Sequence, residues 1–289
     1  MREDQYVSVG DINTRFRAAG DSDKTVILLH GLGDSLETWI YNLDALAAHF
    51  RVYAVDLVGY GRSDKPPADY SGEYFAQFVS AFLETQGIQR CTLVGHSMGG
   101  GVSLRFAVRF PGKVDKLVLE GSAGFGREIS IFLRLATLPP AGEWFFRPSR
   151  KLVTRILKRC VYDPDRITGD LVERVYQMLA LPGAKHAILS TLRTSCNLWG
   201  TRREALHPVL DHLSSLPMPT LILWGGQDRV LPLAHARVAE RKIPNARLHI
   251  LDSCGHATHL ECPETFNSIV LEFLLNKPCS CIINWYFRK

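Results

Sequence analysis

Gly95-His96-Ser97-Met98-Gly99 follows directly on the apolar run Cys91-Thr92-Leu93-Val94 and leads directly into a helical pattern, and this stretch decides the fold. A serine flanked by glycines between a strand and a helix forms an elbow. The turn is so tight that the serine takes a strained backbone conformation and its hydroxyl stands clear of the chain. Side chains at Gly95 and Gly99 would collide with the neighbouring strand and helix. The helix that follows points its first amides, and the positive end of its dipole, at the place where negative charge develops during attack. Ser97 is therefore read as a nucleophile, in preference to the plainer reading of a small-residue turn.

Working outward, short apolar runs rich in β-formers recur at residues 25–29, 51–55, 91–95, 116–120, 220–224 and 247–251, with helical spacings between them. That alternation predicts an α/β fold, a mostly parallel sheet flanked by helices, with residues 6–19 as an antiparallel pair at its edge. Covering helices are expected at 43–47, 75–83, 102–110 and 266–275. From residue 120 to 219 the strand rhythm stops. The segment reads as helices broken by Pro139-Pro140, Pro148, Pro164, Pro182-Gly183 and Pro208. The expected organisation is a core of residues 1–121 and 216–289 with a helical cap, or lid, inserted at 122–215.

A serine at neutral pH needs a base, and the base needs an acid to orient it. The strand at 220–224 ends in Gly225-Gly226-Gln227-Asp228, and the next runs into Asp252-Ser253-Cys254-Gly255-His256, so Asp228 and His256 occupy loops at adjacent strand tips. Ser97, Asp228 and His256 are the catalytic candidates. His256 would act as base and then acid, and Asp228 would hold its tautomer. The rivals are His259, Asp252 and Glu120, each read as a surface group or a supporting one, with Glu120 keeping a lesser claim as the acid because its strand tip can also reach the histidine. Two backbone amides must receive the oxyanion: Met98, after the nucleophile, and Leu32, in His30-Gly31-Leu32-Gly33 after the first core strand. His30 reads as a loop anchor and His96 as packing at the elbow.

These segments, together with Asp56-Leu57-Val58-Gly59-Tyr60-Gly61-Arg62-Ser63-Asp64, resemble the α/β-hydrolase superfamily, in particular the group of bacterial-type esterases, lactonases, cofactor-free haloperoxidases and meta-cleavage-product hydrolases. The resemblance implies an α/β-hydrolase fold and a serine hydrolase that cleaves a carboxylic ester or related acyl bond through an acyl-enzyme. The alternatives are a lactonase, a carbon–carbon bond hydrolase of the meta-cleavage-product type and, less favoured, a non-enzymatic ligand receptor. The carbon–carbon hydrolases place Asn before the nucleophile and Trp after the histidine, where this chain has His96 and Ala257. Arg202 or Arg203 is a candidate for the carboxylate-binding arginine of that group, an exposed pair being the simpler reading. Ser97 disfavours members that use an aspartate nucleophile.

Composition narrows the partners. With 46% hydrophobic and 22% charged residues the chain is globular. No run approaches the length of a membrane span, and the first residues carry no apolar leader, so a soluble, cytoplasmic protein is expected. The seven cysteines show neither CxxC spacing nor histidine partners at metal-site intervals and read as reduced thiols, an incidental pairing being favoured over a redox or metal role for Cys279-Ser280-Cys281, which leads into the apolar tail at 281–287. No dinucleotide fingerprint or phosphate loop is present, so neither cofactor nor metal is expected, and no nucleic-acid motif accompanies the basic residues. The formal charge of +5 is concentrated in residues 121–210, which hold 14 Lys/Arg against 7 Asp/Glu. Residues 149–160 form a basic amphipathic pattern, for which packing on the core is favoured over an anionic membrane face. Phe125, Phe132, Leu133, Leu135, Trp144, Phe145, Phe146 and Trp199 supply apolar area in the cap, most of it expected to pack the cap against itself and the core and only a few side chains to face substrate. The partner is expected to be a small-molecule ester, with oligomeric state open.

Overall fold

The structure is a computed structural model that describes residues 2–277. The Cys279-Ser280-Cys281 pair and the apolar tail beyond it lie outside the described residues. The strands are β1 (Gln5–Val9), β2 (Ile12–Ala19), β3 (Thr25–Leu29), β4 (Arg51–Val55), β5 (Cys91–His96), β6 (Val114–Glu120), β7 (Cys196–Asn197), β8 (Gly200–Thr201), β9 (Thr220–Gly225) and β10 (Ala246–Leu251). Among the described residues, eight of them form one sheet in the order β1-β2-β4-β3-β5-β6-β9-β10. β1 pairs antiparallel with β2, and β2 with β4, while the remaining pairs are parallel. This is the α/β-hydrolase arrangement expected from the strand rhythm.

Central strands β3 and β9 are buried at every residue, as continuous apolar runs in a sheet covered on both faces must be. Helices α1 (Leu43–Ala47), α2 (Gly72–Thr85), α3 (Met98–Arg109), α10 (Ala234–Lys242), α11 (Thr258–Glu261) and α12 (Pro263–Leu274) surround the sheet. α2 starts where the Ser71 hydroxyl accepts from Tyr74 N, and it buries Phe75, Phe78, Val79 and Phe82 at spacings of three and four.

Between β6 and β9 the chain forms α4 (Ile131–Ala136), α5 (Ala141–Phe145), α6 (Arg150–Cys160), α7 (Gly169–Leu179), α8 (Ala184–Ser195) and α9 (Arg203–Leu210). Two expectations need correction here. Pro208 does not break a helix but lies within α9, where its missing N–H removes one helical bond. The segment is also not wholly helical, because β7 and β8 pair as a small antiparallel ribbon.

One feature of the edge strands was hidden in the sequence. Arg15, on alternating strand β2, is 1% exposed and meets Asp4, Glu37 and Asp56. Arg17 joins Asp4 and Glu37. Asp56 also accepts from Leu36 N and Arg62 N. This buried ion cluster ties the sheet edge to the 30–39 loop, which borders the functional site.

Candidate active site

The parallel register brings five strand tips into line. Leu29 lies beside Gly95, His96 beside Glu120, Glu120 beside Leu223, and Gly225 beside Leu251. The segments leaving those tips carry His30, Ser97, Asp228 and His256, so positions far apart in sequence meet over one edge, where open α/β sheets bind ligands.

Ser97 has φ 53° and ψ −114°, a left-handed conformation that costs a non-glycine residue of order 1–3 kcal/mol. The surroundings enforce it. Its N–H donates to Glu120 O at 2.9 Å, and its carbonyl accepts from Ala123 N at 3.0 Å. A Cβ on Gly99 would lie 2.2 Å from Leu29 O, and one on Gly95 would lie 2.4 Å from Gly99 O. These are the collisions with strand and helix that the glycines avoid.

His256 is 3% exposed, and its Nδ1 lies 2.7 Å from Asp228 Oδ2. The other Asp228 oxygen accepts from Val230 N and Leu231 N at 2.7 and 2.9 Å, which fixes the carboxylate. Burial opposes the imidazolium, but the charge of Asp228 and its hydrogen bond outweigh burial and hold the His256 pKa above the usual histidine value. The His256 loop is clasped to the end of α6: His256 N and Ala257 N both donate to Cys160 O, at 2.7 and 3.1 Å. Buried Glu261 completes the clasp by accepting from Gly255 N, Tyr162 N and Asp163 N.

The rivals separate clearly. Asp252 is exposed. Glu120 and His259 are both fully buried, so neither is a surface group. The Glu120 carboxylate accepts from Thr258 Oγ1 at 2.6 Å and from His259 N at 2.9 Å, and His259 Nδ1 lies 2.9 Å from the same oxygen. Burial pushes Glu120 up, yet His259, His96 and these hydrogen bonds bring it down to about 2. The pair braces the chain just beyond His256 from below. His96 is buried between His256 and His259, with ring centroids 4.8 and 4.7 Å away, and burial keeps it well below the usual histidine pKa, hence neutral. His96, Glu120 and His259 each bring one ligand atom within 4.8 Å of the others, a grouping the sequence spacing did not suggest. Glu120 Oε1 takes the hydrogen bonds from residues 258 and 259, while Glu120 Oε2, His259 Nε2 and both ring nitrogens of His96 are buried without a hydrogen-bond partner among the described residues. His30 anchors its loop, accepting from Leu57 N at Nε2 and facing Gly31 O through Nδ1.

Ser97 stands between two chambers. The first, with a cavity volume of about 120 Å³, is lined by His256 and Asp34 and by Phe132, Phe146, Val153 and Leu157. The second, of about 160 Å³, is lined by Met98, Phe75, Val102, Leu206, Arg105 and His235. Leu32, Ser97, Leu133 and Val230 belong to both. Arg202 and Arg203 are exposed and line neither chamber, and Arg202 Nε donates to Arg193 O and Cys196 O.

Two chamber residues escaped the sequence reading. Arg105 Nε is buried without a partner. It lies eight residues after Ser97 on α3, so helical periodicity alone places it on the face the serine starts. Asp34 follows the Leu32 loop. Burial pushes its carboxyl up to about 7, against the opposing pull of His259 and His256. No spacing signal marks it.

Residues 26–269 match the alpha/beta hydrolase family. The chain is a member of that family. An uncharacterized protein of Mycobacterium tuberculosis is 35% identical over 280 residues, covering 93% of this chain and 80% of the relative. The 2-hydroxy-6-oxononadienedioate/2-hydroxy-6-oxononatrienedioate hydrolase of a Pseudomonas species is 30% identical over 275 residues, covering 93% and 94%. Among solved structures, the 2-hydroxy-6-oxo-6-phenylhexa-2,4-dienoate hydrolase of Rhodococcus sp. strain RHA1 superposes with a TM-score of 0.81 at 25% identity, covering 95% and 99%. A membrane phospholipase A described as a bacterial virulence factor superposes at 0.79 and 25%, covering 95% and 86%. This family member is a hydrolase in which Ser97 and His256 line the same chamber and His256 pairs with Asp228.

Proposed function

We propose that this α/β-hydrolase is a serine hydrolase that cleaves a carboxylic ester bearing a bulky apolar group on each side of the carbonyl. The observation that carries the reading is the position of strained Ser97 at the junction of two mainly apolar chambers, with the His256–Asp228 pair on one side. In the proposed mechanism Ser97 Oγ attacks the carbonyl carbon while His256 Nε2 takes its proton. Asp228 keeps the other ring nitrogen protonated and stabilises the imidazolium. The amides of Leu32 and Met98 receive the oxyanion. His256 then protonates the leaving alkoxide, and water activated by the same imidazole hydrolyses the acyl-enzyme. Residues 122–215 act as the cap that closes both chambers and sets substrate size.

A second reading, hydrolysis of a carbon–carbon bond next to a ketone, is favoured by specific observations. The Pseudomonas and Rhodococcus relatives are hydrolases of dienoates, and the comparisons weigh toward that chemistry. The second chamber also holds the unpartnered Arg105 Nε and the buried His235, whose Nδ1 has no partner, and these groups suit a substrate carboxylate. Against it stand His96 and Ala257, where that group has Asn and Trp, and the absence of Arg202 and Arg203 from either chamber.

Initial rates on p-nitrophenyl esters from acetate to palmitate, beside those on a 2-hydroxy-6-oxo-dienoate, separate the readings. The ester reading predicts a higher kcat/KM on a mid-length or long ester and loss of activity in Ser97→Ala. A preference for the dienoate, weakened by Arg105→Met, would replace it with the second reading. Activity persisting in Ser97→Ala would refute both.

A further inference from the structure

Among the described residues, the large apolar side chains most open to solvent cluster outside the sheet. Only Tyr6 and Tyr41 fall outside residues 131–199; the others include Ile131 at 59% exposure, Trp144 at 67% and Trp199 at 76%, with Leu135, Leu138 and Leu198 between. They adjoin one another. α4 and α5 pack through Phe132 and Phe145, whose rings are 5.2 Å apart, and Trp144 lies 5.3 Å from Phe145. Leu138 shares a surface cleft with Leu198 and Trp199. On the other side, Trp144 and Phe145 share a groove with Arg147, Lys151, Arg155 and Arg159.

That groove is positively charged. α6 carries five basic residues and no acid. Arg150 pairs with Glu173. Lys151, Arg155, Lys158 and Arg159 are exposed, and none has a salt-bridge partner among the described residues. The apolar face of α6 cannot enter a bilayer, because Val153 and Leu157 are buried inward. The exposed apolar tips come from α4, α5 and the β7–β8 ribbon, with the basic side chains of α6 beside them.

We propose that this face docks on an anionic lipid bilayer, with Ile131, Leu135, Trp144 and Trp199 entering the headgroup region and Lys151 and Arg155 contacting anionic headgroups. Exposed tryptophans and leucines lower their free energy by leaving water at the interface, and each nearby basic residue adds attraction to an anionic surface. A second copy of this chain fits the face poorly, because it would bring the same positive charges together. Phe132, Ile156 and Arg159 line both the surface groove and the chamber beside Ser97, so the docked face opens toward the site. This inference goes beyond the ester reading, since docking requires no particular bond to be cleaved.

The test is co-sedimentation of the full chain with vesicles of phosphatidylcholine alone and of phosphatidylcholine with phosphatidylglycerol, in low and high salt. The expected result is binding to the anionic vesicles that high salt releases. With about fivefold in partitioning from each basic residue, Lys151→Gln with Arg155→Gln lowers binding about 25-fold, and Trp144→Ser lowers it independently. Hydrolysis of soluble p-nitrophenyl butyrate is read on the same variants and stays at the wild-type rate, so a failure of docking is distinguishable from a failure of the hydrolase reading. Equal binding to both vesicle types, no binding to either, or wild-type binding by the Lys151/Arg155 variant overturns the proposal. So does a concentration-dependent dimer in light scattering that Trp144→Ser abolishes.

Discussion

Replacing Glu120 by Gln keeps the shape of the side chain and removes its charge beneath the active site. The carboxylate is fully buried, accepts from Thr258 and His259, and has a pKa of about 2 in the folded protein against 4.5 for an ordinary glutamate. A depressed folded pKa stabilises the protein above the unfolded value, and the stabilisation is lost as pH falls from 4.5 toward 2. The gap of about 2.5 units, at 1.36 kcal/mol per unit, gives about 3 kcal/mol at neutral pH. By pH 3 about 2 kcal/mol of that has gone. Urea unfolding of wild type and Glu120→Gln, followed by tryptophan fluorescence at pH 6 and pH 3, measures it. The wild type should be more stable by about 3 kcal/mol at pH 6 and by about 1 kcal/mol at pH 3. A difference that does not change between these pH values refutes the reasoning. Because Thr258 and His259 directly follow the His256 segment, the variant should also lose activity at pH 7 before it unfolds.

Other outcomes follow from the same geometry. Asp228→Asn leaves His256 without the carboxylate that sets its tautomer, so kcat should fall about 10⁴-fold while circular dichroism stays native. Asp34→Asn removes one of the negative charges that raise the His256 pKa. The acid limb of the kcat/KM–pH profile should therefore move to lower pH, by an amount limited because Asp34 itself is raised to about 7, and a limb that moves up contradicts the assignment of His256 as base. Glu37→Ala strips a shared partner from buried Arg15 and from Arg17. Removing one partner of a buried ion pair typically costs about 3–5 kcal/mol, and a differential scan showing no fall in Tm would count against the cluster's role.

The sequence revealed the parts of this molecule that follow a short-range pattern. The buried strands are short continuous apolar runs and the covering helices follow a period of 3.6, and Ser97, Asp228 and His256 sit where strands run out into loops, so local reading placed all three at one edge of the sheet. The parts it concealed depend on distant pairing. Glu120 and His259 are 139 residues apart, and either alone reads as an ordinary polar residue. Arg15 lies on β2, one strand in from the sheet edge, where a charged side chain would be costly to bury, and Asp4, Glu37 and Asp56 make its burial tolerable. Pro208 read as a helix break because position within a helix turn is not visible in composition. The basic pattern at 149–160 was legible, but which of its faces was free became clear only once Val153 and Leu157 were seen turned inward.

The central claim is that Ser97 is an activated nucleophile, and reaction with a fluorophosphonate probe tests it most directly. Intact-mass and peptide analysis of wild type, Ser97→Ala and His256→Ala should show one adduct per chain on the peptide containing Ser97 in the wild type, none in Ser97→Ala and strongly slowed labelling in His256→Ala. A wild type that does not react, or an adduct that forms equally well without Ser97, would contradict the account.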